Sequence, residues 1–167
     1  STDLVTTCDV SQFTSMYGAF YENSTFNQDI SAWNTSNVTN MIGLFSGATS
    51  FNKDINNWDV SSVIAMDEMF KDASSFNKDI GSWDTSSVIT SDYMFNSAVA
   101  FNQPIGNWDV SNVISMRGMF IYNTVFDQPL SNWDVSNVIG MSQMFMNSVF
   151  NQPIGNWDVS SVTNMTQ

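Results

Sequence analysis

Residues 51–75 read FNKDINNWDVSSVIAMDEMFKDASS, and this unit returns along the chain with a period of about 25 residues, a length typical of repeat proteins. Phenylalanine begins the units at Phe26, Phe51, Phe76, Phe101, Phe126 and Phe150. Tryptophan follows at Trp33, Trp58, Trp83, Trp108, Trp133 and Trp157. A fixed period of this length indicates a solenoid, in which each turn packs on its neighbours.

Two apolar patterns within one unit predict its secondary structure. Ile55, Trp58 and Val60 are spaced as in the L-x-x-L-x-L core of a leucine-rich repeat, whose last apolar residues share one face of a short strand. Val63, Met66 and Phe70 follow at a spacing that suits one side of a short helix or 3₁₀ segment. The predicted fold is therefore an α/β repeat solenoid, leucine-rich-repeat-like, with a short parallel strand and a short helix or 3₁₀ segment in each turn.

The predicted solenoid forms a single domain over residues 1–167. Its first turn, residues 1–25, is degenerate, with Cys8 at the tryptophan position, where we expect a small buried side chain. Regular turns occupy residues 26–149, and a shortened, incomplete last turn occupies residues 150–167. We expect the chain to be a mature product or an excised piece. The unfinished last turn suggests a fragment of a longer array, or an end that something else covers.

Composition excludes several classes of function. The chain has 16 acidic and 4 basic residues, a net charge of −12, which argues against nucleic acid and anionic membranes as partners and favours basic ones. No apolar stretch approaches the roughly 18 residues of a membrane span. With no histidine and one cysteine, His-dependent catalysis and the usual zinc sites are absent. We predict no enzyme and no cofactor.

The repeat F-N-x-x-I-x-x-W-D-V-S-N-V-x-x-M-x-x-M-F resembles that of the BspA-like leucine-rich repeat surface proteins, formerly a domain of unknown function, over residues 8–167. The resemblance implies a leucine-rich-repeat fold, an extracellular or cell-surface location, and adhesion or partner binding. It implies no catalytic residues.

Repeated positions form columns in a solenoid, and three kinds of column are predicted to be structural. The Trp column and the Phe column from Phe45 to Phe145 are expected in the core, since a soluble monomer could hardly expose two such stripes. The Asn column from Asn27 to Asn151, interrupted by Asp127, and the Ser column from Ser11 to Ser160 are expected to bond backbone groups at corners.

One column of carboxylates is the candidate binding site. It consists of Asp59, Asp84, Asp109, Asp134 and Asp158, flanked by Asn57, Asn107, Asn132 and Asn156. Strand alternation directs these residues outward, onto the face that leucine-rich repeats use for binding. Three interpretations remain open: local capping of the following corner, a face for a basic partner, or a calcium site. One Asp per turn supplies few of the oxygen ligands that calcium prefers.

Two further sets of residues are weaker candidates. The column of Ile64, Ile89, Ile114 and Ile139 is either an exposed stripe for lateral contacts or is tucked beneath the next turn. Asn23, Asn34, Asn37 and Asn164 begin N-x-S/T sequons, which matter only in a secretory eukaryote.

Two functions follow from these columns. The first is a non-catalytic surface binding or adhesion module that presents the acidic face to a protein or other cationic partner. The alternative is a structural protein that assembles with copies of itself, end to end or laterally, into filaments or a surface layer.

Overall fold

Regular helix and strand make up very little of the protein. The computed structural model describes residues 3–166, so residues 1, 2 and 167 of the predicted domain lie outside the described residues. Within that range the helical segment is α1, Asp3–Thr6. The β-structure consists of isolated parallel bridges between residues one repeat apart. The bridges join Ser15, Asn40, Ala65, Thr90, Ser115, Gly140 and Asn164 in one column.

The secondary structure within each turn differs from the prediction. In the described residues no strand forms at 58–60 and no helix or 3₁₀ segment forms at 63–70, where turns surround a single bridge at Ala65. Glu68 and Asp72 have φ of 55° and 57°, a left-handed conformation that neither a helix nor a strand contains. The assignment to the α/β leucine-rich-repeat class therefore stays a prediction.

The left-handed residues recur in two columns along the stack. The first column comprises Gly18, Gly43, Glu68, Tyr93, Gly118 and Gln143. The second comprises Glu22, Gly47, Asp72, Ser97, Tyr122 and Asn147. Only some of these positions carry glycine, and the apolar residues keep their spacing around them. The hydrophobic periodicity alone therefore gives no sign that a helix or strand is interrupted here.

Main-chain hydrogen bonds join each turn to both neighbours. The amide of Ile64 donates to the carbonyl of Thr39 in the preceding turn at 2.9 Å. Every second amide that follows donates forward, to the next turn, at 2.8–3.0 Å. These bonds join Met66 to Thr90, Glu68 to Asp92, Phe70 to Met94 and Asp72 to Asn96. The amides of Met69, Lys71 and Ala73 donate within their own turn, for example Met69 to the carbonyl of Met66, so the turns replace a conventional sheet.

Stacked aromatic rings fill the core, as predicted. Phe45 and Phe70 are fully buried with ring centroids 5.6 Å apart, and Phe45 also stacks at 3.9 Å on Phe51, which begins the next unit. Trp108 is 5% exposed, and its indole N–H donates to the carbonyl of Ile80 at 3.0 Å. The same indole bond is made by Trp33, Trp58, Trp83, Trp133 and Trp157. Each indole therefore satisfies its polar group inside an apolar layer.

The Asn column is also structural, as predicted. The side-chain oxygen of Asn27 accepts the amide of Asn52 at 3.0 Å, and the pattern repeats from turn to turn. Asp127 interrupts the column. Its backbone N–H donates to the side-chain oxygen of Asn102, and its carboxylate accepts the backbone N–H of Asn151 at 2.8 Å. Asp fits this column because the ladder requires only a side-chain acceptor.

The prediction of a buried Cys8 is wrong, because this side chain is exposed. In later turns the residue at this position is covered by the turn before it. Trp33, for example, donates its indole N–H to the carbonyl of Val5. Cys8 lies just after α1 and has no equivalent turn before it in the described residues.

A second column of carboxylates shapes a corner that later turns build with proline. Asp29, Asp54 and Asp79 each accept the amide two residues ahead, at 2.9–3.0 Å. The equivalent positions in the following turns are Pro104, Pro129 and Pro153. An Asx turn and a proline are two ways of fixing the same corner.

This equivalence predicts that Asp79→Pro is tolerated. Proline restricts the unfolded chain but removes the hydrogen bond that the amide of Gly81 donates to Asp79, so the free energy of unfolding should change by less than about 1 kcal/mol. Urea denaturation measures the change. The control Ile89→Pro removes an amide that donates to Ile64 and should cost about 3 kcal/mol. A comparable loss of stability in both variants would show that the Asx-turn corner and the proline corner are not equivalent.

Candidate binding surfaces

The Asp column caps the corner that follows it. Oδ1 of Asp59 accepts the backbone N–H of Ser61 at 3.0 Å and its hydroxyl at 2.6 Å. Asp84, Asp109 and Asp134 make the same two bonds to the serine two residues ahead. Asp158 accepts the N–H of Ser160 at 3.0 Å. Of the three interpretations, local capping is therefore seen in the structure, and the serines of the Ser column are the donors.

Asn34 occupies the same position in an earlier turn and makes the same contacts. Its side-chain oxygen accepts the N–H of Ser36 at 3.2 Å and the hydroxyl at 2.8 Å. The cap thus depends on an oxygen acceptor and not on the negative charge. Charge and capping can be separated by replacing Asp with Asn.

Serine bonds lower the pKa of Asp59, Asp84, Asp134 and Asp158. For Asp84 the largest cause is the hydrogen bond from the Ser86 hydroxyl, followed by that from its backbone N–H, while the charge of Asp59 acts in the opposite direction. The pKa values of Asp59, Asp134 and Asp158 are lowered in the same way. These carboxylates consequently keep their charge into mildly acidic solution.

The predicted acidic face is exposed, although no strand forms there in the described residues. All five aspartates are exposed, and so are Asn57, Asn107, Asn132 and Asn156. Of these amides, Asn156 donates to the carbonyl of Ser131 at 2.7 Å. The other three make no hydrogen bond to a described residue, so their amides and the Oδ2 atoms of the aspartates face solvent.

The Ile column is an exposed stripe and is not tucked beneath the next turn. The side chains of Ile64, Ile89, Ile114 and Ile139 are 50%, 38%, 43% and 50% exposed. Their backbones form a ladder, since each amide from Ile89 to Ile139 donates to the isoleucine carbonyl one turn before at 2.9 Å. The ladder holds the stripe at a fixed spacing.

The remaining sequence candidates are the sequon asparagines and a calcium site. The sequon residues Asn23, Asn34, Asn37 and Asn164 are all exposed. Asn37 donates its side-chain amide to the carbonyl of Ser11 at 2.7 Å. Nowhere in residues 3–166 do three or more His, Cys, Asp or Glu side chains come together as a metal-binding group, and one oxygen of each column aspartate is already engaged by serine.

A groove that sequence reasoning did not identify runs beside the Ile stripe. Its volume is about 530 Å³, and its lining includes Tyr93, Ile114, Arg117, Ile139 and Gly140. The sequence signals are a glycine in the bridge column and the chain's arginine in a column that carries aspartate in the two preceding turns. The shared pattern of the repeats hides both signals, because it shows what recurs from turn to turn and not what changes.

The chain belongs to the family described as "Mycoplasma protein of unknown function, DUF285", whose model matches residues 2–104 and again residues 78–167. Both matches fall on the repeats, so the family is one of repeat proteins. Comparison with curated proteins and with solved structures finds no match to this chain. None of the helical structure in the described residues is long and apolar enough to cross a membrane.

Removing one donor should raise the pKa of its acceptor. We expect Ser86→Ala to raise the pKa of Asp84 toward its ordinary value, because the hydroxyl bond is the largest cause of its depression. A carboxyl with a lowered folded-state pKa stabilises the fold above its unfolded pKa of about 3.9, and this contribution is lost as the pH falls through the folded value. The variant should therefore lose less stability on acidification.

An NMR pH titration of the Asp84 carboxyl carbon measures this pKa. The matched control is Ser87→Ala, since Ser87 neighbours Ser86 and donates no hydrogen bond to Asp84. An unchanged Asp84 pKa in Ser86→Ala, or an equal rise in the control, would contradict the assigned cause.

Proposed function

We propose that this chain is a non-catalytic binding module of a BspA-like surface protein, a leucine-rich-repeat-like solenoid that presents an acidic face to a basic protein. The observation that carries the proposal is the exposed column of aspartates, each held in one orientation by its serine. The extracellular or cell-surface location is part of the proposal and rests on the resemblance of the repeats.

A rigid scaffold supports this function. Each interior turn is bonded through its backbone to the turns on both sides, and the aromatic stack fills the space between them. The column charges therefore cannot move apart to relieve their repulsion. Side chains held in place before binding lose little conformational entropy when a partner arrives.

The charge of the column remains available to a partner. Serine occupies Oδ1 of each aspartate, and Oδ2 accepts no hydrogen bond from a described residue at Asp59, Asp84, Asp109 or Asp134. Neighbouring carboxylates about 5 Å apart repel by roughly 0.8 kcal/mol even in bulk water. Lysine or arginine side chains placed between successive turns would remove this repulsion, which favours a partner with several basic groups.

Neutralising the column should weaken binding without unfolding the protein. We expect the triple variant Asp84→Asn, Asp109→Asn and Asp134→Asn to bind a tetralysine peptide at least about tenfold more weakly at low ionic strength. Its melting temperature should stay close to the parent's, because Asn34 caps the same corner with an amide oxygen. Calorimetric titration measures the affinity.

The matched control removes the same number of charges elsewhere. Asp29→Asn, Asp54→Asn and Asp79→Asn change the second carboxylate column, which also accepts backbone amides. If both triple variants lose affinity equally, net charge and not the proposed face attracts the peptide. If the first variant binds as the parent does, the acidic face is not the site.

The exposed Ile stripe favours lateral assembly as a second function. Two copies of this chain present isoleucines at the same spacing, so the stripes can match over several turns. Their charges oppose association, and we expect the mass measured by light scattering to rise with protein concentration only at high salt. Ile64→Ser with Ile89→Ser should abolish that rise, whereas Tyr17→Ser, at another exposed apolar residue, should not. A constant mass in the parent under all conditions would exclude this alternative.

A further inference from the structure

The groove beside the Ile stripe combines apolar, aromatic and cationic side chains in one place. Its lining includes the isoleucines Ile114 and Ile139, the aromatic Tyr93, the cationic Arg117, and Gly140. The two isoleucines are 43% and 50% exposed. The volume of about 530 Å³ lies within the range of small-ligand and peptide sites.

Two sequence changes distinguish this groove from the same place in the preceding turns. In the preceding turns the hydroxyl of the bridge residue bonds to a carboxylate one turn before. Thr90 donates in this way to the carboxylate of Asp67 at 2.6 Å. Ser115 donates in the same way to Asp92 at 2.6 Å. The next bridge residue is Gly140, which has no side chain to donate, and the residue one turn after Asp92 is Arg117.

Arg117 lies over the space that Gly140 leaves. A Cβ atom built on Gly140 would be 2.8 Å from Nε of Arg117 and 2.7 Å from Oγ of Ser115. Nε is 3.8 Å from Oδ2 of Asp92, which is a loose ion pair, and the arginine side chain is 54% exposed. Its terminal guanidinium nitrogens donate no hydrogen bond to a described residue.

Tyr93, which also lines the groove, is held in position by its backbone and by a close neighbour. It occupies one of the left-handed columns, with φ of 58°. Its ring lies against Gly118, where an added Cβ would come within 2.5 Å of two ring carbons. An ordered aromatic side chain beside an arginine is a composition enriched in binding sites.

We propose that this groove binds the C-terminal carboxylate of a peptide that ends in an aliphatic residue. The free guanidinium nitrogens of Arg117 match the two oxygens of a carboxylate. Ile114, Ile139 and Tyr93 cover the aliphatic side chain next to it. The chain's charge of −12 selects against ligands with many negative groups, so a single terminal carboxylate on an otherwise uncharged peptide fits better than an acidic segment or a phosphate.

The probe is N-acetyl-Ala-Ala-Leu with a free carboxylate, titrated into the protein while the methyl NMR signals of Ile114 and Ile139 are followed. We expect both signals to shift and to saturate together. The same peptide with a C-terminal amide should bind at least about tenfold more weakly, since the charge-assisted bonds are lost. N-acetyl-Ala-Asp-Ala amide tests an acidic side chain and should bind as weakly as the amide.

Variants locate the site on the protein. Arg117→Gln should raise the dissociation constant at least about tenfold, because an amide replaces the guanidinium at an exposed position. Lys78→Gln is the matched control, since it removes the same charge at a residue outside the groove lining, and it should change the constant by less than about twofold. Gly140→Ala should also weaken binding by displacing Arg117, while Ala65 in the same column shows that the backbone accepts this side chain.

Several results would overturn the proposal. They are no saturating shift with the free carboxylate, equal affinity for the amide, tighter binding of the Asp-containing peptide, or an unchanged constant in Arg117→Gln. An equal loss in Lys78→Gln would also overturn it, since the net charge would then account for the effect. None of these outcomes bears on the acidic face, which is tested with a basic peptide.

Discussion

The structure depends on the backbone hydrogen bonds between residues one repeat apart. A left-handed backbone conformation costs roughly 1–2 kcal/mol at each residue other than glycine, and most turns contain such residues. They are tolerated because they let every second amide from Met66 to Asp72 reach the next turn while the amides of Met69 and Lys71 bond locally. A single bond contributes only about 1 kcal/mol net, but an unsatisfied buried amide costs about 1–3 kcal/mol. The repeat stabilises this backbone because each turn supplies acceptors for its neighbour.

The same logic explains why the aspartates and asparagines recur. A column persists when each of its members makes the same local bond, as Asp59 does with Ser61 and Asn52 does with Asn77. Substitutions within a column preserve the chemistry of that bond or corner. Asn34 replaces an aspartate cap, Asp127 replaces an asparagine acceptor, and Pro104 replaces an Asx turn. A recurring residue therefore indicates a structural role first, and a binding role only through the atoms that the structural role leaves free, such as Oδ2 of the aspartates.

Sequence alone predicted the period, the aromatic core, the asparagine ladder and the outward position of the aspartates. It failed on the segment from Val63 to Phe70, because apolar spacing reports which side chains are buried and not the sign of φ. Val63, Met66 and Phe70 are buried, yet Glu68 between them is left-handed. The glycines at the equivalent positions, Gly43 and Gly118, were the available signal. The exposure of the Ile stripe could not be predicted from the sequence, since it depends on the backbone conformation of this segment.

Recognition of a particular ligand in a repeat protein requires a place where the turns differ. A regular column offers the same atoms at every turn, so it favours partners that are themselves extended or repetitive, and it gives affinity by adding similar contacts. The groove at Gly140 breaks this regularity, because the hydroxyl bridge made by Thr90 and Ser115 ends there and Arg117 stands where aspartate stood before. The loss of a side chain at Gly140 and the reversal of charge at Arg117 place a specific donor where earlier turns have a hydroxyl bridge. The two surfaces are thus suited to different kinds of binding, the acidic column to multivalent attachment and the groove to discrimination between individual peptide ends.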